Sequence, residues 1–347
     1  MSAPFAIGGA MIGTGHCFVI AEAGVNHDGD LDKALALVDA AAAAGADAVK
    51  FQTFSADRLV TAQAPKARYQ ERDDSATQRD MLRRLELDEP AYRRLAARAA
   101  EKGIVFLSSP FDEQSADFLE SLDVAAFKVP SGELINIPFL RHIARKRRPM
   151  IVSTGMATLV EVRSAVEAIR AAGCEEVALL HCVSAYPAEP RDANLRAMVT
   201  LRDTFQVPAG WSDHTLGTEV SLAAAALGAD VIEKHLTLDC AAPGPDHAAS
   251  LEPDEFASLV RGIRIVTSAL GSGEKRPTDA ELEIAAVARK SLVAAHPLRE
   301  GQALSAADVV LRRPGTGLPP AMLDRLLGRR TARPVEQGAL LREEWFV

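Results

Sequence analysis

AAGADAVKFQT, Ala43–Thr53, decides how this chain must fold. A small-residue helix end meets a glycine stop, and an apolar run follows within a few residues, closed by Lys50 and Gln52. Glycine ends a helix well because it accepts the left-handed backbone there. The phrase returns as EKGIVFLSS (Glu101–Ser109), AAGCEEVALL (Ala171–Leu180) and ALGADVIEKH (Ala226–His235). Such a helix-to-strand turn, repeated, belongs to alternating α/β architecture.

Working outward, eight strand-like runs appear, each closed by a polar or charged residue. They are Phe18–Gly24, Asp47–Thr53, Ile104–Ser109, Ala125–Glu133, Pro149–Gly155, Val177–Pro187, Val207–His214 and Asp230–Thr237. Helix-patterned segments follow them: Leu31–Ala44 after Asp30 as N-cap, a helix capped by Asp88 and ended by Gly103, then Gln114–Leu122, Pro138–Arg147, Thr158–Ala172, Asp192–Phe205, Thr218–Leu227 and Pro253–Leu270. Eight β/α units in order predict a (β/α)8 TIM barrel, whose strands present their carboxyl ends to one mouth where chemistry is done. Glu22, Lys50, Gln52, Ser109, Lys128, Ser131, Thr154, Ser184, Tyr186, Asp213, His214, Glu233 and His235 are placed at that mouth by this reading. A core that only packs has no use for so many polar groups.

The 347 residues allow one barrel, 1–272, a linker, 273–288, and a small β-rich domain, 289–347. The texture changes at GSGEKRPT (Gly271–Thr278), and Asp279–Ala288 can form one short helix. So small a tail has little core of its own and is expected to lean on a barrel, its own or a partner's. The connection Phe54–Leu87 is abnormally long, which predicts either a lid or substrate loop at the mouth or a solvated insertion on the outer helices. A net charge of −8 argues against nucleic-acid binding. No run approaches the ~20 apolar residues of a membrane span, and no basic residue precedes Lys33 to make a secretory n-region. Cys17, Cys174, Cys182 and Cys240 show no CxxC pairing, so buried thiols in a reducing cytoplasm are expected.

His214 and His235 end the seventh and eighth runs, on neighbouring strands, and two imidazoles can share a divalent ion while leaving positions open for substrate. Glu22 closes the ring beside them. Lys50 and Lys128 lie in apolar runs, where an ammonium must be paired, bound to an anion or reactive. With Ser109 and Ser131 they can cradle phosphate and carboxylate; the alternative is a pair of internal salt bridges to Glu22 and Glu233. Glu133, Asp213, Glu233 and Asp246 are the carboxylates available for acid/base work, unranked by sequence. Gln52 and Tyr186 suit substrate orientation, Trp211 suits packing, and His27 either lines the pocket or caps its loop.

IAEAGVNHDG, ADAVKFQT, LSSPFD, FKVPSGE, PMIVSTGM, SAYP, GWSDHTLG, IEKHLTLD and GPDHAASLEPDEF together resemble the sialic acid synthase family. The tail RKSLVAA…LREGQALSAADVVLRRPGTGLPP resembles that family's antifreeze-like (SAF) domain. The resemblance implies a synthase that condenses phosphoenolpyruvate with N-acetylmannosamine or a related hexosamine to make a nonulosonic acid, by attack of C3 on the open-chain aldehyde and loss of phosphate. It implies Mn²⁺ or Mg²⁺ at His214 and His235. Phosphoenolpyruvate would be held by Lys50, Ser109, Lys128, Ser131, Ser184 and Ser212. Glu22, Gln52, Tyr186 and Asp246 would surround the amino sugar and the ion, and Arg313 would reach from one subunit of a domain-swapped homodimer to the other's site. Pro130, Ser184 and Lys234 depart from the commonest pattern, which bears on the acceptor more than on the reaction. N-acetylmannosamine, giving N-acetylneuraminate, is the preferred acceptor; the alternative is a diacetamido-trideoxyhexose giving legionaminic acid, and APKARYQ (Ala64–Gln70) suits either. Rival readings are a Schiff-base aldolase using Lys50 or Lys128 and a non-catalytic sugar- or ice-binding protein.

Overall fold

A computed structural model describes residues 4–66 and 75–347. A hairpin, β1 (Phe5–Ile7) and β2 (Ala10–Ile12), precedes eight parallel strands: β3 (Phe18–Gly24), β4 (Ala48–Thr53), β5 (Val105–Pro110), β6 (Phe127–Val129), β7 (Met150–Ser153), β8 (Val177–Cys182), β9 (Ala209–Asp213) and β10 (Val231–His235). Hydrogen bonding runs in the order β5-β4-β3-β10-β9-β8-β7-β6, so the last strand pairs with the first, Glu22 opposite His235. β5 and β6 lie side by side at the remaining seam. The result is a nearly closed TIM barrel.

The helices form where sequence starts and stops them. α1 (Leu31–Ala43) is capped by Asp30, whose carboxylate accepts from the Asp32 and Lys33 N–H groups. In the β4 connection come α2 (Ala56–Leu59) and α3 (Gln78–Arg84), then α4 (Glu89–Lys102), begun by Asp88 and ended at Gly103 in the left-handed region, φ 73°. α5 (Glu113–Ser121), α6 (Ile137–Ala144), α7 (Leu159–Ala171), α8 (Arg196–Phe205), α9 (Glu219–Ala226) and α10 (Pro253–Leu270) complete the ring.

Two runs end earlier than their sequence suggests. Pro130 carries no N–H to extend the ladder, and Ser131–Glu133 form a 3₁₀ turn beyond it. The Val177–Pro187 run stops as a strand at Cys182, and its remainder lines the mouth as irregular chain. Residues 190–192 make a 3₁₀ turn, so the helix expected from Asp192 begins only at Arg196.

Strand alternation sorts the interior. Phe18, Ile20, Ala48, Leu107, Ala126, Ile151, Leu180 and Val231 fill the amino-terminal end of the barrel, where the hairpin's Phe5, Ile7 and Ile12 join them. One step toward the mouth, the same strands present polar groups.

The chain divides into two compact units, the second running from Ser272 to Val347. It holds α11 (Asp279–Ala288), the antiparallel pair β11 (Ser291–Ala294) and β12 (Val309–Arg312), and the short α12 (Leu323–Leu326). Its small core gathers Leu292, Leu298, Leu304, Leu326, Val335, Leu341 and Phe346. Among the described residues no helix is long and apolar enough to cross a membrane.

Candidate active site

The barrel mouth encloses a cavity of ≈ 510 Å³. Its lining includes Glu22, Lys50, Gln52, Ser109, Lys128, Ser131, Glu133, Ser184, Tyr186, Ser212, His214, Glu233, His235 and Asp246. A larger cavity, ≈ 720 Å³, lies between α7 and α8 and contains neither lysine, neither rim histidine and no carboxylate. The chemistry therefore belongs to the smaller one. Arg313 lies in the second unit, exposed, with Nε donating to the Ala288 carbonyl at 2.8 Å.

On the floor, Lys50 Nζ stands 2.6 Å from Glu22 Oε2, 3.8 Å from Glu233 Oε2 and 3.2 Å from Ser109 Oγ. Lys128 Nζ lies 3.4 Å from Glu233 Oε1 and donates to Ser153 Oγ at 2.7 Å. Ser212 Oγ donates to Glu233 Oε1 at 3.0 Å, and Gln52 Nε2 donates to Glu22 Oε1 at 3.1 Å. The internal salt bridges read as an alternative to an anion cradle thus form in the free protein. Each ammonium has three donors, while Lys50 makes its hydrogen bond to Ser109 and Lys128 its own to Ser153, so donor capacity remains that an incoming anion could take up.

Burial is the largest single influence on each group here, though neighbouring charges together reverse its direction at two of them. It pushes Glu22 up to about 7 against the pull of Lys50, and Asp246 up to about 6. Glu233 is buried as deeply, but Lys128 and Lys50 outweigh desolvation and hold it below the usual carboxylate range. Burial lowers Lys128; at Lys50 the opposite pull of Glu22 and Glu233 prevails and raises it.

At the rim, the His214 and His235 rings lie 5.5 Å apart, and Tyr186 packs at 4.2 Å and 5.7 Å from them. Burial lowers both histidines, His235 well below the ordinary value, so both imidazoles are neutral. His214 Nδ1–H donates to the Val183 carbonyl at 2.7 Å, leaving Nε2 as a lone-pair donor; the proton is assigned from that bond. His235 Nδ1 is buried without a hydrogen-bond partner, 3.9 Å from Asp246 Oδ2. Neutral imidazoles beside a carboxylate suit a divalent ion. Among the described residues no three His, Cys, Asp or Glu side chains form a ligand set.

Gly155 explains how the cradle's edge is so compact. A Cβ there would collide with Ser184 Oγ and crowd Cys182 Sγ and Ser131 Oγ. Instead its N–H donates to Ser131 Oγ at 3.1 Å. Glu133 lines the mouth from the 3₁₀ turn, accepting from Asn136 Nδ2 at 2.7 Å.

Two expectations are corrected. Asp213 and Lys234 point outward from β9 and β10, away from the cavity, and pair at 3.0 Å in full burial, with Ser221 and Thr215 satisfying the carboxylate. Asp213 therefore leaves the set of available acid/base groups. Thr154 bonds the Leu180 carbonyl, and Ser153 takes the inward position instead. Sequence reading missed Ser153 and Cys182, although inward Ile151 and Leu180 two residues earlier set their direction. His27 Nδ1 accepts from the Gly29 N–H at 3.0 Å, so it caps its loop; Trp211 is fully buried and packs. All four cysteines are free, with Cys240 half-buried and the others buried.

A model of the NeuB family matches residues 37–275, and one of the SAF domain matches residues 289–346. An N,N'-diacetyllegionaminic acid synthase of Legionella pneumophila is 49% identical over 331 residues, 94% of this chain and 93% of that protein. Its Campylobacter jejuni counterpart is 43% identical over 329 residues, 94% of this chain and 98% of that protein. The crystal structure of an N-acetylneuraminic acid (sialic acid) synthetase from Leptospira borgpetersenii serovar Hardjo-bovis, in complex with citrate, is 35% identical and superposes with a TM-score of 0.73, covering 82% of this chain and 95% of that one. With the barrel, the polar mouth and the carboxy-terminal module all accounted for, the chain belongs to the NeuB family of carbon–carbon bond-forming nonulosonic acid synthases and carries a SAF domain.

Proposed function

We propose that this enzyme condenses phosphoenolpyruvate with an open-chain diacetamido-trideoxyhexose, releasing phosphate and forming N,N'-diacetyllegionaminic acid. The observation that carries the condensation is the buried pair Lys50 and Lys128, set among Ser109, Ser153 and Ser212 below two neutral imidazoles. The acceptor rests on the two legionaminic acid synthases matched over nearly the whole chain. They favour this sugar over N-acetylmannosamine, which sequence reading preferred.

Phosphoenolpyruvate displaces Glu22 and Glu233 from the ammonium groups, which then hold its phosphate and carboxylate in a water-poor site where charge pairing is strong. Ser109, Ser131, Ser184 and Ser212 offer hydroxyl donors around it. A divalent ion, Mn²⁺ or Mg²⁺, at His214 and His235 would supply Lewis-acid polarisation of the acceptor aldehyde. Gln52 and Tyr186 orient the sugar so that C3 of phosphoenolpyruvate forms a bond to the aldehyde carbon. Asp246 or Glu22, both titrating near neutrality, gives the proton that the aldehyde oxygen takes up, then accepts one from the water that adds at C2. Last, the bond between C2 and the phosphate oxygen breaks; the C2 hydroxyl becomes the ketone and its proton leaves with the phosphate.

The assembly proposed with this chemistry is a homodimer in which Arg313 of each subunit serves the other's site, binding an N-acetyl group. α11 has no buried residue and exposes Ile284 and Val287, which lie three apart on one face that a second copy would cover, as well as Leu282. Free cysteines favour a reducing cytoplasm. Lowered Lys128 is the one feature that suits a Schiff-base enzyme, but its ammonium is held by Glu233 and Ser153. Borohydride with a keto substrate should therefore trap nothing.

Phosphate release decides the proposal. The protein is incubated with phosphoenolpyruvate, Mn²⁺ and each candidate sugar separately. Turnover should be fastest with the diacetamido sugar and should stop with chelator. Faster turnover with N-acetylmannosamine would overturn the acceptor, and phosphate release unaffected by chelator would overturn the metal.

A further inference from the structure

The proposed chemistry uses the floor of the cavity and the histidine side of its rim. The facing side is mainly apolar: Val25, Phe54, Leu59, Met81, Leu82 and Phe111 line it and form a cluster of their own, apart from the main core, with Gln78 of α3 as a polar member of the lining. It is built from the ends of β3, β4 and β5 together with α2 and α3. This long connection had no need to be apolar toward the cavity. A solvated insertion would carry polar residues there.

The wall is fixed in place. The Ala56 N–H donates to Glu86 Oε1 at 2.5 Å, joining the two ends of the connection. Gly29, at φ +76°, lies so close to the Arg84 carbonyl oxygen that a Cβ would collide with it, which docks the end of α3 on the β3 loop. Phe54 and Phe111 meet edge to face at 6.1 Å. Leu59 and Leu82 are half-buried, so part of each side chain remains open to a ligand.

A hexose bound with its aldehyde carbon beside the phosphate cradle must extend its other end toward the rim. A diacetamido-trideoxyhexose ends in a methyl group at C6, whereas N-acetylmannosamine ends in a hydroxymethyl group. An apolar wall accepts the methyl group without leaving a hydroxyl unbonded. Among the described cavity-lining residues the only lysines or arginines are Lys50 and Lys128, both engaged on the floor.

We propose that the Leu59–Leu82 wall is the subsite for the acceptor's C6 end and selects a methyl group there over hydroxymethyl. This rests on the condensation proposed above, but not on which hexosamine is the true acceptor. The test therefore takes whichever N-acetylated hexosamine gives phosphate release and compares its 6-deoxy and 6-hydroxy forms. The wild-type protein should favour the 6-deoxy form by about tenfold or more in kcat/KM. Leu82→Gln and Leu59→Gln, made separately so that one misfolding variant does not decide the matter, should each erase most of that preference while KM for phosphoenolpyruvate stays unchanged. A wild-type enzyme that uses both forms equally, or variants that keep the preference, would overturn the proposal. Failure of the acceptor assignment alone would show differently: N-acetylmannosamine would outrun the diacetamido sugar while the wall variants still changed the C6 preference.

Discussion

His27 shows how burial converts one residue into a pH response. Desolvation pushes its imidazole down to about 4, against the opposite pull of Asp28 and Asp30, and its Nδ1 lone pair accepts the Gly29 N–H. The folded state therefore keeps His27 neutral where the unfolded chain protonates it. Its stability contribution is intact above about 6.5 and falls as pH drops toward about 4, by roughly 3 kcal/mol in all. His27→Gln should be less stable than wild type at pH 7 through loss of the turn bond. The gap should narrow as pH falls, because the variant lacks this titration. Urea unfolding of both proteins between pH 7 and pH 4 checks it; a constant gap would sink the account. At this scale the sequence was legible wherever strand alternation was unbroken: Glu22, Lys50, Ser109, Lys128, Glu233 and His235 all face the cavity. It misled where two polar residues stand side by side. In Ser153-Thr154 and Ser212-Asp213 only the register decides which side chain turns inward, and apolar runs buried on both faces do not display that register.

Strands were legible as elements because each run is apolar throughout and ends in a charge or hydroxyl. Their ends were less so, since a proline such as Pro130 stops the ladder while the apolar pattern continues. The amino-terminal hairpin went unread. FAIGGAMI (Phe5–Ile12) places two short apolar runs about a Gly-Gly turn, with Gly8 and Gly9 at φ 55° and 92°, but strands of three residues are too brief to declare a period. The hairpin is nonetheless part of the barrel's core. Ile7 is fully buried among the inward residues of the amino-terminal end, remote from the mouth. Ile7→Ala should cost about 2–5 kcal/mol, as large-to-small changes in a packed core do. Both Michaelis constants should be unchanged, since Ile7 is not among the residues that line the cavity. Thermal unfolding with steady-state kinetics tests this; a raised KM without loss of stability would contradict the division between packing end and chemical end. The Phe54–Leu87 connection was recognisable by length but not by role. Its described part walls the cavity, where Met81 and Leu85 pack with Val25 and Phe54. Residues 67–74, including the second half of APKARYQ, lie outside the described residues.

For the whole molecule, the two compact units and the barrel order follow from punctuation and pattern, whereas the acceptor and the assembly depend on surfaces that no periodicity encodes. Barrel and tail differ in means. The barrel has a continuous core, while the second unit relies on one short antiparallel pair and a handful of leucines and valines. A unit of that size with an apolar helix left exposed is a natural candidate for burial against another copy. If Arg313 works across subunits, two separately crippled proteins must rescue each other. His235→Ala loses a residue of the site itself, and Arg313→Ala loses the arm, so each homodimer is defective at low acceptor concentration. A mixed dimer contains one site with its own His235 and the Arg313 of the partner subunit. After unfolding and refolding an equal mixture, random pairing should restore about a quarter of wild-type turnover. Were the arm to serve its own subunit, every His235-bearing site in the mixture would lack Arg313, and turnover would stay at the sum of the two parents.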